Sequence, residues 1–290
     1  MLYENATKVL YIDLATGKIE IKQRTDLTEY LGGVGLASKL LDETIKPKLP
    51  PLAPEQPIIL AIGAISGIYP LITKTVAMFL SPLTGELGES YAGGRLALAL
   101  SMAGYDAVVI SGKALRPSYI AIDGDNIEIK DARPIWGMDS DVVGQFLRDS
   151  QEGSGKRSIL RIGPAGEKMV KFASVCVDTY RHFGRLGLGA LMGSKHVKAI
   201  IVTGNKTTRI KNFKDYFRAY QTIFKSVTET DLMSKYHDLG TSINVESINA
   251  LGALPTKNLT DNHFDSAEQI GGEAFAEKTS FERWLAQVAQ

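Results

Sequence analysis

The sequence has a single cysteine, Cys176, among its 290 residues. One cysteine excludes an internal disulfide, a multi-cysteine zinc site and an iron–sulfur cluster held by this stretch of chain alone. Its four histidines are scattered, and no two have the spacing of metal ligands. Cys176 comes late in an apolar stretch, which indicates a buried, unreactive thiol.

Charge of one sign and long apolar runs are also missing. Lys and Arg number 33 and Asp and Glu 32, so the net charge of +1 gives no general reason to expect nucleic acid or an anionic membrane as a partner. The longest uncharged stretch, residues 56–73, is interrupted by prolines and glycines, which favours a buried strand and a turn over a membrane helix. The amino terminus shows no targeting segment, so we expect a cytoplasmic protein.

Residue patterns predict a mixed α+β part before residue 208. Alternating apolar residues predict an opening hairpin over residues 9–14 and 19–22. Short helices are predicted at residues 36–41, 95–102 and 139–148. Further strands are predicted at residues 58–62, 76–80, 107–110, 119–122, 127–129, 158–162, 170–177 and 199–202.

A helical part is predicted from residue 209 to residue 290. Asn212 has the character of a helix N-cap, with Asp215 three residues later. Apolar residues then recur with helical spacing, at Phe213, Phe217, Tyr220, Phe224 and Val227. The basic residues around the boundary are predicted to form a solvated face: Lys195, Lys198, Lys206, Arg209, Lys211 and Lys214.

Two glycine-rich segments are the candidates for chemistry, one over residues 74–95 and one over residues 161–195. Glycine lets backbone amides approach an anion closely, and arginine adds a planar donor for phosphate. Neither segment has the spacing of a P-loop or of the dinucleotide fingerprint. Residue types alone leave two interpretations open, an anion-binding pair of loops or tight turns in a β-rich fold.

Motifs in and around these segments resemble the tungsten-containing aldehyde:ferredoxin oxidoreductase family. The most diagnostic is Gly-Arg-Leu-Gly-Leu-Gly-Ala-Leu-Met-Gly-Ser-Lys at residues 184–195. Other matching pieces are Ser-Pro-Leu-Thr-Gly at 81–85, Ala-Gly-Gly at 92–94, Trp-Gly at 136–137 and Gly-Pro-Ala-Gly-Glu at 163–167. Further matches lie at residues 30–39, 103–106, 110–113 and 254–258.

The resemblance implies two related β-sheets that form a base for a bis-pterin tungsten or molybdenum cofactor, followed by the start of a helical domain. It implies that one loop from each half, residues 90–95 and residues 181–187, contacts the pterins and the magnesium joining their phosphates. It also implies oxidation of an aldehyde to a carboxylic acid, with electrons passing through a 4Fe–4S cluster to ferredoxin. The cofactor-binding residues it indicates are Lys74, Ser90, Tyr91, Ala92, Gly93, Gly94, Arg95, Arg181, His182, Gly184, Arg185 and Gly187.

Three features depart from the family pattern. Lys74 stands where the family often has arginine, and Tyr91 where it usually has asparagine. The family's Cys-x-x-Cys-x-x-x-Cys cluster motif falls beyond Gln290. The sequence therefore resembles a first domain plus part of a second. It is consistent with half of an oxidoreductase whose partner subunit carries the rest, with a stand-alone pterin-binding or scaffold module, or with a decayed fragment.

Overall fold

A computed structural model describes residues 6–150, 155–207 and 210–279. The chain forms two compact units, residues 1–211 and residues 212–290. The boundary predicted near residue 208 stays a prediction, since residues 208 and 209 themselves lie outside the described residues.

The first unit begins with a six-stranded mixed sheet whose strand order is β2-β1-β6-β3-β4-β5. The strands are β1 (Thr7–Asp13), β2 (Lys18–Arg24), β3 (Ile58–Ile62), β4 (Thr75–Leu80), β5 (Leu87–Ala92) and β6 (Ala107–Ser111). Helix α1 (Gly33–Thr44) follows β2, and helix α2 (Leu96–Ala103) lies between β5 and β6. Only β1 and β6 pair in parallel, and the other neighbours are antiparallel.

A second six-stranded sheet repeats this plan. Its order is β11-β10-β9-β12-β7-β8. Each strand corresponds to the strand numbered six lower in the first sheet, so β7 corresponds to β1 and β12 to β6, and the two orders are the same when one is read in reverse. The strands are β7 (Ser118–Asp123), β8 (Asn126–Asp131), β9 (Lys156–Arg161), β10 (Val175–Val177), β11 (Arg181–Phe183) and β12 (Val197–Gly204). The single parallel pair, β7 with β12, is at the equivalent place. The two halves are thus related sheets, as the resemblance implied.

Helices also recur at equivalent points. Helix α3 (Ser140–Ser150) follows β8 as α1 follows β2, and helix α5 (Leu188–Ser194) precedes β12 as α2 precedes β6. The short helix α4 (Pro164–Glu167) lies between β9 and β10. Apolar residues of both sheets, α2 and α5 share one core, whereas α1 and α3 each cover an outer sheet face. Because both faces of each sheet are covered, every residue of β3 and of β12 is buried, and β3 is entirely apolar.

The predicted elements of this unit are mostly confirmed, with two kinds of correction. The strand predicted over residues 170–177 is only three residues long, because Val170 N donates to Ala165 O (2.9 Å) and Ala173 N to Val170 O (2.8 Å). These bonds turn the chain around α4 before it reaches the sheet. Conversely, strands β5 and β11 were not predicted, since glycine, arginine and histidine hide their pattern.

The second unit is helical where the structure describes it. Its helices are α6 (Phe213–Thr228), α7 (Asp231–Leu239), α8 (Asn244–Ala250) and α9 (Gly272–Thr279). The predicted cap at the start of α6 is confirmed, because Asn212 Oδ1 accepts from Asp215 N (3.2 Å). The predicted aromatic spacing produces stacked rings, such as Phe213 on Phe217 at 6.0 Å, but all of them remain partly exposed.

The described part of the chain contains no helix long and apolar enough to cross a membrane. Residues 56–73, which raised that question, form β3 and a series of turns, as predicted.

Candidate functional site

The first candidate segment is partly a strand. Ser90, Tyr91 and Ala92 lie in β5 and pair with β4, and only Gly93, Gly94 and Arg95 form the turn that leads into α2. Residues 90–95 are therefore not wholly the loop that the resemblance implied. Alternation along β5 buries Ser90 and Ala92 and exposes Tyr91. The Ser90 hydroxyl has no hydrogen-bond partner among the described residues.

The second candidate segment has the same construction. Arg181, His182 and Phe183 form β11, paired with β10, and residues 184–187 turn into α5. The turn needs left-handed backbone at Leu186 (φ 67°) and Gly187 (φ 83°). A Cβ at Gly187 would lie 2.0 Å from Lys171 O, so only glycine fits there. Phe183 anchors the segment in the core, while Arg181 and His182 are exposed.

The structure brings the two segments side by side. Strands β5 and β11 are the end strands of their sheets, occupy equivalent positions and contact each other. At one end a Cβ on Gly94 would lie 3.1 Å from Arg181 Cγ, so the arginine stem rests on the glycine. At the other end Ser81 Oγ donates to Leu186 O (2.8 Å). The equivalent edges of the two halves therefore form one surface.

Positive charge is concentrated on this surface. Lys74, Arg95, Arg181 and Arg185 are all exposed. The Lys74 side chain extends over Gly93, because a Cβ atom placed on Gly93 would lie 3.6 Å from Lys74 Nζ. Arg95 has an acidic neighbour, Asp178, whereas Lys74, Arg181 and Arg185 have no hydrogen-bond or ion-pair partner among residues 6–150, 155–207 and 210–279. Unpaired guanidinium groups beside tight glycine turns suit phosphate oxygens.

Tyr91 is a neutral hydrogen-bond donor at this edge. Its hydroxyl donates to the Glu89 carboxylate, and that bond raises the pKa of Tyr91 to about 12. The phenol therefore stays protonated at any physiological pH. The sequence alone does not show that Glu89 and Tyr91 are partners.

Metal-binding side chains do not converge here. No group of three or more His, Cys, Asp or Glu residues that could hold a metal ion occurs among the described residues. Cys176, expected to be buried, is half-buried in β10, directly across from His182 in β11. The single cysteine does not provide the ligands of an iron–sulfur cluster.

Comparisons with known proteins agree with this architecture. The family model for the N-terminal domain of aldehyde ferredoxin oxidoreductase matches residues 9–204, and the model for domains 2 and 3 matches residues 218–284. The chain belongs to the aldehyde ferredoxin oxidoreductase family.

Individual relatives cover almost the whole chain. The tungsten-containing aldehyde ferredoxin oxidoreductase of Pyrococcus furiosus is 36% identical and that of Thermococcus kodakarensis 34% identical, each over 96% of this chain and 46% of the relative. A solved structure, the active site complex BamBC of benzoyl coenzyme A reductase with 1,5-dienoyl-CoA, has a TM-score of 0.75 and 26% identity over 93% of this chain and 44% of that chain. The chain thus spans about half the length of these relatives.

Several motifs of the aldehyde ferredoxin oxidoreductase family have a structural role here. Both carboxylate oxygens of Glu167 accept from Gly137 N (2.9 Å each), and Glu167 also pairs with Lys198 Nζ. Lys198 is fully buried and donates to Met138 O (2.8 Å). The motifs at 136–137 and 163–167 are therefore two sides of one buried ionic contact.

Two lysines predicted to be solvated are buried. Lys198 makes the contact just described, and Lys195 donates to Pro54 O (2.7 Å) and Gly112 O (3.2 Å). Burial lowers the pKa of Lys195 to about 8. The prediction was wrong for both because each ammonium finds acceptors inside the fold, which a charge count along the sequence cannot show. Arg209, predicted on the same face, lies outside the described residues.

The family motif at residues 254–258 lies in the second unit. Its last two residues, Lys257 and Asn258, are left-handed, with φ of 47° and 57°, and so is the next residue, Leu259, with φ of 68°. An antiparallel bridge between Thr256 and Asp261 closes the turn, and Lys257 pairs with Asp261 at 2.9 Å.

Proposed function

We propose that this chain is the cofactor-supporting part of a tungsten oxidoreductase that oxidises aldehydes to carboxylic acids. The observation that supports this most is the meeting of equivalent edges from two related sheets, which places residues 90–95 beside residues 181–187. Similarity to tungsten-containing members of the family supports a tungstopterin cofactor, and we include its molybdenum counterpart in the proposal. The proposed cofactor-binding residues are those indicated by sequence, from Lys74 to Gly187.

The residues present fit such a group. The cofactor carries phosphates, and three exposed cations, Lys74, Arg181 and Arg185, have no partner among the described residues. The absence of a side chain at Gly94 leaves room for the stem of Arg181, so an arginine from the second half lies against the turn of the first. When bound, the group would supply two-electron redox chemistry at its metal.

The chain's own part in the reaction is to bind and orient. Arg181 and Arg185 would donate hydrogen bonds to the phosphate oxygens of the cofactor. Lys74 would add a positive charge but not the two parallel hydrogen bonds that a guanidinium can donate. Tyr91 stays protonated and donates its hydroxyl proton in a hydrogen bond to Glu89, so it would not act as a base.

Electron transfer needs residues beyond these 290. With one cysteine, the chain holds no 4Fe–4S cluster by itself. We propose that the cluster, and transfer from it to ferredoxin, depend on further sequence of the family's second and third domains, in the same chain or in a partner subunit.

Cofactor content tests this function. The protein is produced in cells that make tungstopterin, and tungsten and oxidised-pterin fluorescence are measured per chain. Arg181→Ala and Arg185→Ala should each weaken retention about tenfold or more, because a hydrogen bond to a charged group is worth about 1.5–3 kcal/mol. Arg133→Ala is the matched control, since Arg133 follows β8 at the opposite edge of the same sheet and pairs with Asp131 (2.6 Å). Equal cofactor content in all four proteins would refute the assignment.

The lack of cluster ligands favours one second candidate, a module that only carries or presents the pterin cofactor. Stoichiometric tungsten and pterin without iron, and no aldehyde oxidation after an iron–sulfur partner is supplied, would support the carrier over the oxidoreductase.

A further inference from the structure

Asp178 lies at the junction of the two candidate segments. It follows β10 in a left-handed conformation (φ 52°), which aspartate tolerates better than most residues. Strand β9 fixes its carboxylate twice, because Oδ1 accepts from Ile159 N (3.1 Å) and Oδ2 accepts from Ser158 Oγ (3.0 Å). Its backbone carbonyl accepts from Arg161 Nη1. The side chain is only 11% exposed.

This fixed carboxylate faces the other half of the unit. Arg95 Nε lies 3.7 Å from Asp178 Oδ2, although the Arg95 side chain is 63% exposed. A Cβ on Gly94 would lie 3.9 Å from the same oxygen. The turn of the first half therefore rests against a carboxylate that belongs to the second half.

We propose that Asp178 is a positioning residue that holds Arg95 in place for a phosphate of the cofactor and so makes the two halves act as one site. This inference rests on the proposed function. A rigid carboxylate paired with the Nε edge restricts an exposed arginine to few rotamers, so less conformational entropy is lost when the arginine's other donors bind an anion.

The proposal can be separated from simple electrostatics because the two predict opposite signs. Asp178 is a negative charge beside Arg95 and beside the turn at Gly94, on which the stem of Arg181 rests. Removing that charge makes the surface more positive and should tighten anion binding if only charge matters. If Asp178 positions Arg95, its removal weakens binding despite the gain in positive charge.

The probe is magnesium pyrophosphate, with binding measured by calorimetry at low and at physiological salt. Asp178→Asn keeps an oxygen for Ile159 N and should weaken binding about three- to fivefold, the range expected for a partly exposed ion pair. In an Arg95→Gln background the same change should cause no further loss of affinity. Asp131→Asn is the matched control, because Asp131 also pairs with an exposed arginine of this half, Arg133, at 2.6 Å, but lies in β8 at the opposite edge of the sheet from β11.

Arg95→Lys provides a test that does not depend on a buried substitution. It keeps the charge of an exposed residue but loses the Nε donor, so it should bind pyrophosphate as weakly as Asp178→Asn. Melting temperatures of all variants are measured alongside.

Three results would overturn the proposal: equal or tighter binding by Asp178→Asn, a loss that persists in the Arg95→Gln background, or wild-type affinity in Arg95→Lys. Failure of the wild type to bind pyrophosphate would also overturn it. If the wild type binds and these variants behave as wild type, the proposed function stands and only the role of Asp178 is wrong. A wild type that loads no tungstopterin refutes the proposed function itself.

Discussion

Glu167→Gln should destabilise the first unit strongly, because it leaves a buried ammonium without its counter-charge. Lys198 is fully buried and the Glu167 side chain is 6% exposed, so solvent cannot replace the lost carboxylate. Breaking one partner of a buried pair costs about 3–5 kcal/mol. The glutamine oxygen still accepts from Gly137 N, so we expect the lower end, about 3 kcal/mol. That is a large part of the stability of an ordinary domain, about 5–15 kcal/mol.

Urea unfolding can measure this loss locally. Trp136 directly precedes Gly137, and Trp284→Phe would leave it as the single tryptophan of the chain. With a slope of about 2 kcal/mol per molar urea, the midpoint should fall by more than about 1 M. The double variant Glu167→Gln/Lys198→Met removes both charges and should recover much of the loss.

The matched control is Glu128→Gln, which removes a carboxylate from an ion pair with Lys130 on β8, where the glutamate is 52% exposed. It should leave the midpoint nearly unchanged. Two results would show that the buried contact does not hold the two motifs together. One is a Glu167→Gln midpoint like that of this control. The other is a double variant whose loss of unfolding free energy equals the summed losses of Glu167→Gln and Lys198→Met measured separately.

Two further predictions concern single positions. Gly187→Ala should lower the unfolding free energy by more than about 2 kcal/mol, because its backbone is left-handed and a Cβ would meet Lys171 O, whereas Gly184→Ala, with open space around it, should unfold like the wild type in the same urea titration. The pKa of Lys195 is lowered to about 8 from 10.5, so the unfolded state binds more protons between these values and stability gains with rising pH. Relative to Lys195→Met, the wild type should therefore gain up to about 3 kcal/mol between pH 7 and pH 11. A wild-type-minus-variant difference that is flat over this range would contradict the burial of its ammonium.

The sequence predicted elements where apolar periodicity is strong. The hairpin β1–β2, the buried strand β3 and the capped helix α6 are at the expected positions because each shows one clear period. Strands β5 and β11 were not predicted because they are edge strands rich in glycine and in polar or charged residues, which show no clear apolar alternation. The proposed cofactor site includes both strands, so the segments with the weakest strand pattern in the sequence are the ones that the proposal depends on.

Other features depend on contacts distant in the chain. The repetition of one strand order in both halves shows only in the fold, although Ile-Glu-Ile-Lys occurs in both β2 and β8, which are equivalent strands. Likewise Ser81 and Leu186 are 105 residues apart, and Lys198 is 31 residues from Glu167. Motif resemblance covers Ser81, Leu186 and Glu167 but not Lys198. Only the fold shows that Glu167 and Lys198 form a buried pair, whereas the side chains of Lys74, Arg181 and Arg185 have no partner among the described residues.

The position of tungsten in crystals of the cofactor-loaded protein, located by anomalous scattering, tests most directly whether the two related edges carry the cofactor. We predict one strong peak over the surface where residues 90–95 meet residues 181–187. A peak bound at any other surface, or cofactor held by only one half, would contradict the account.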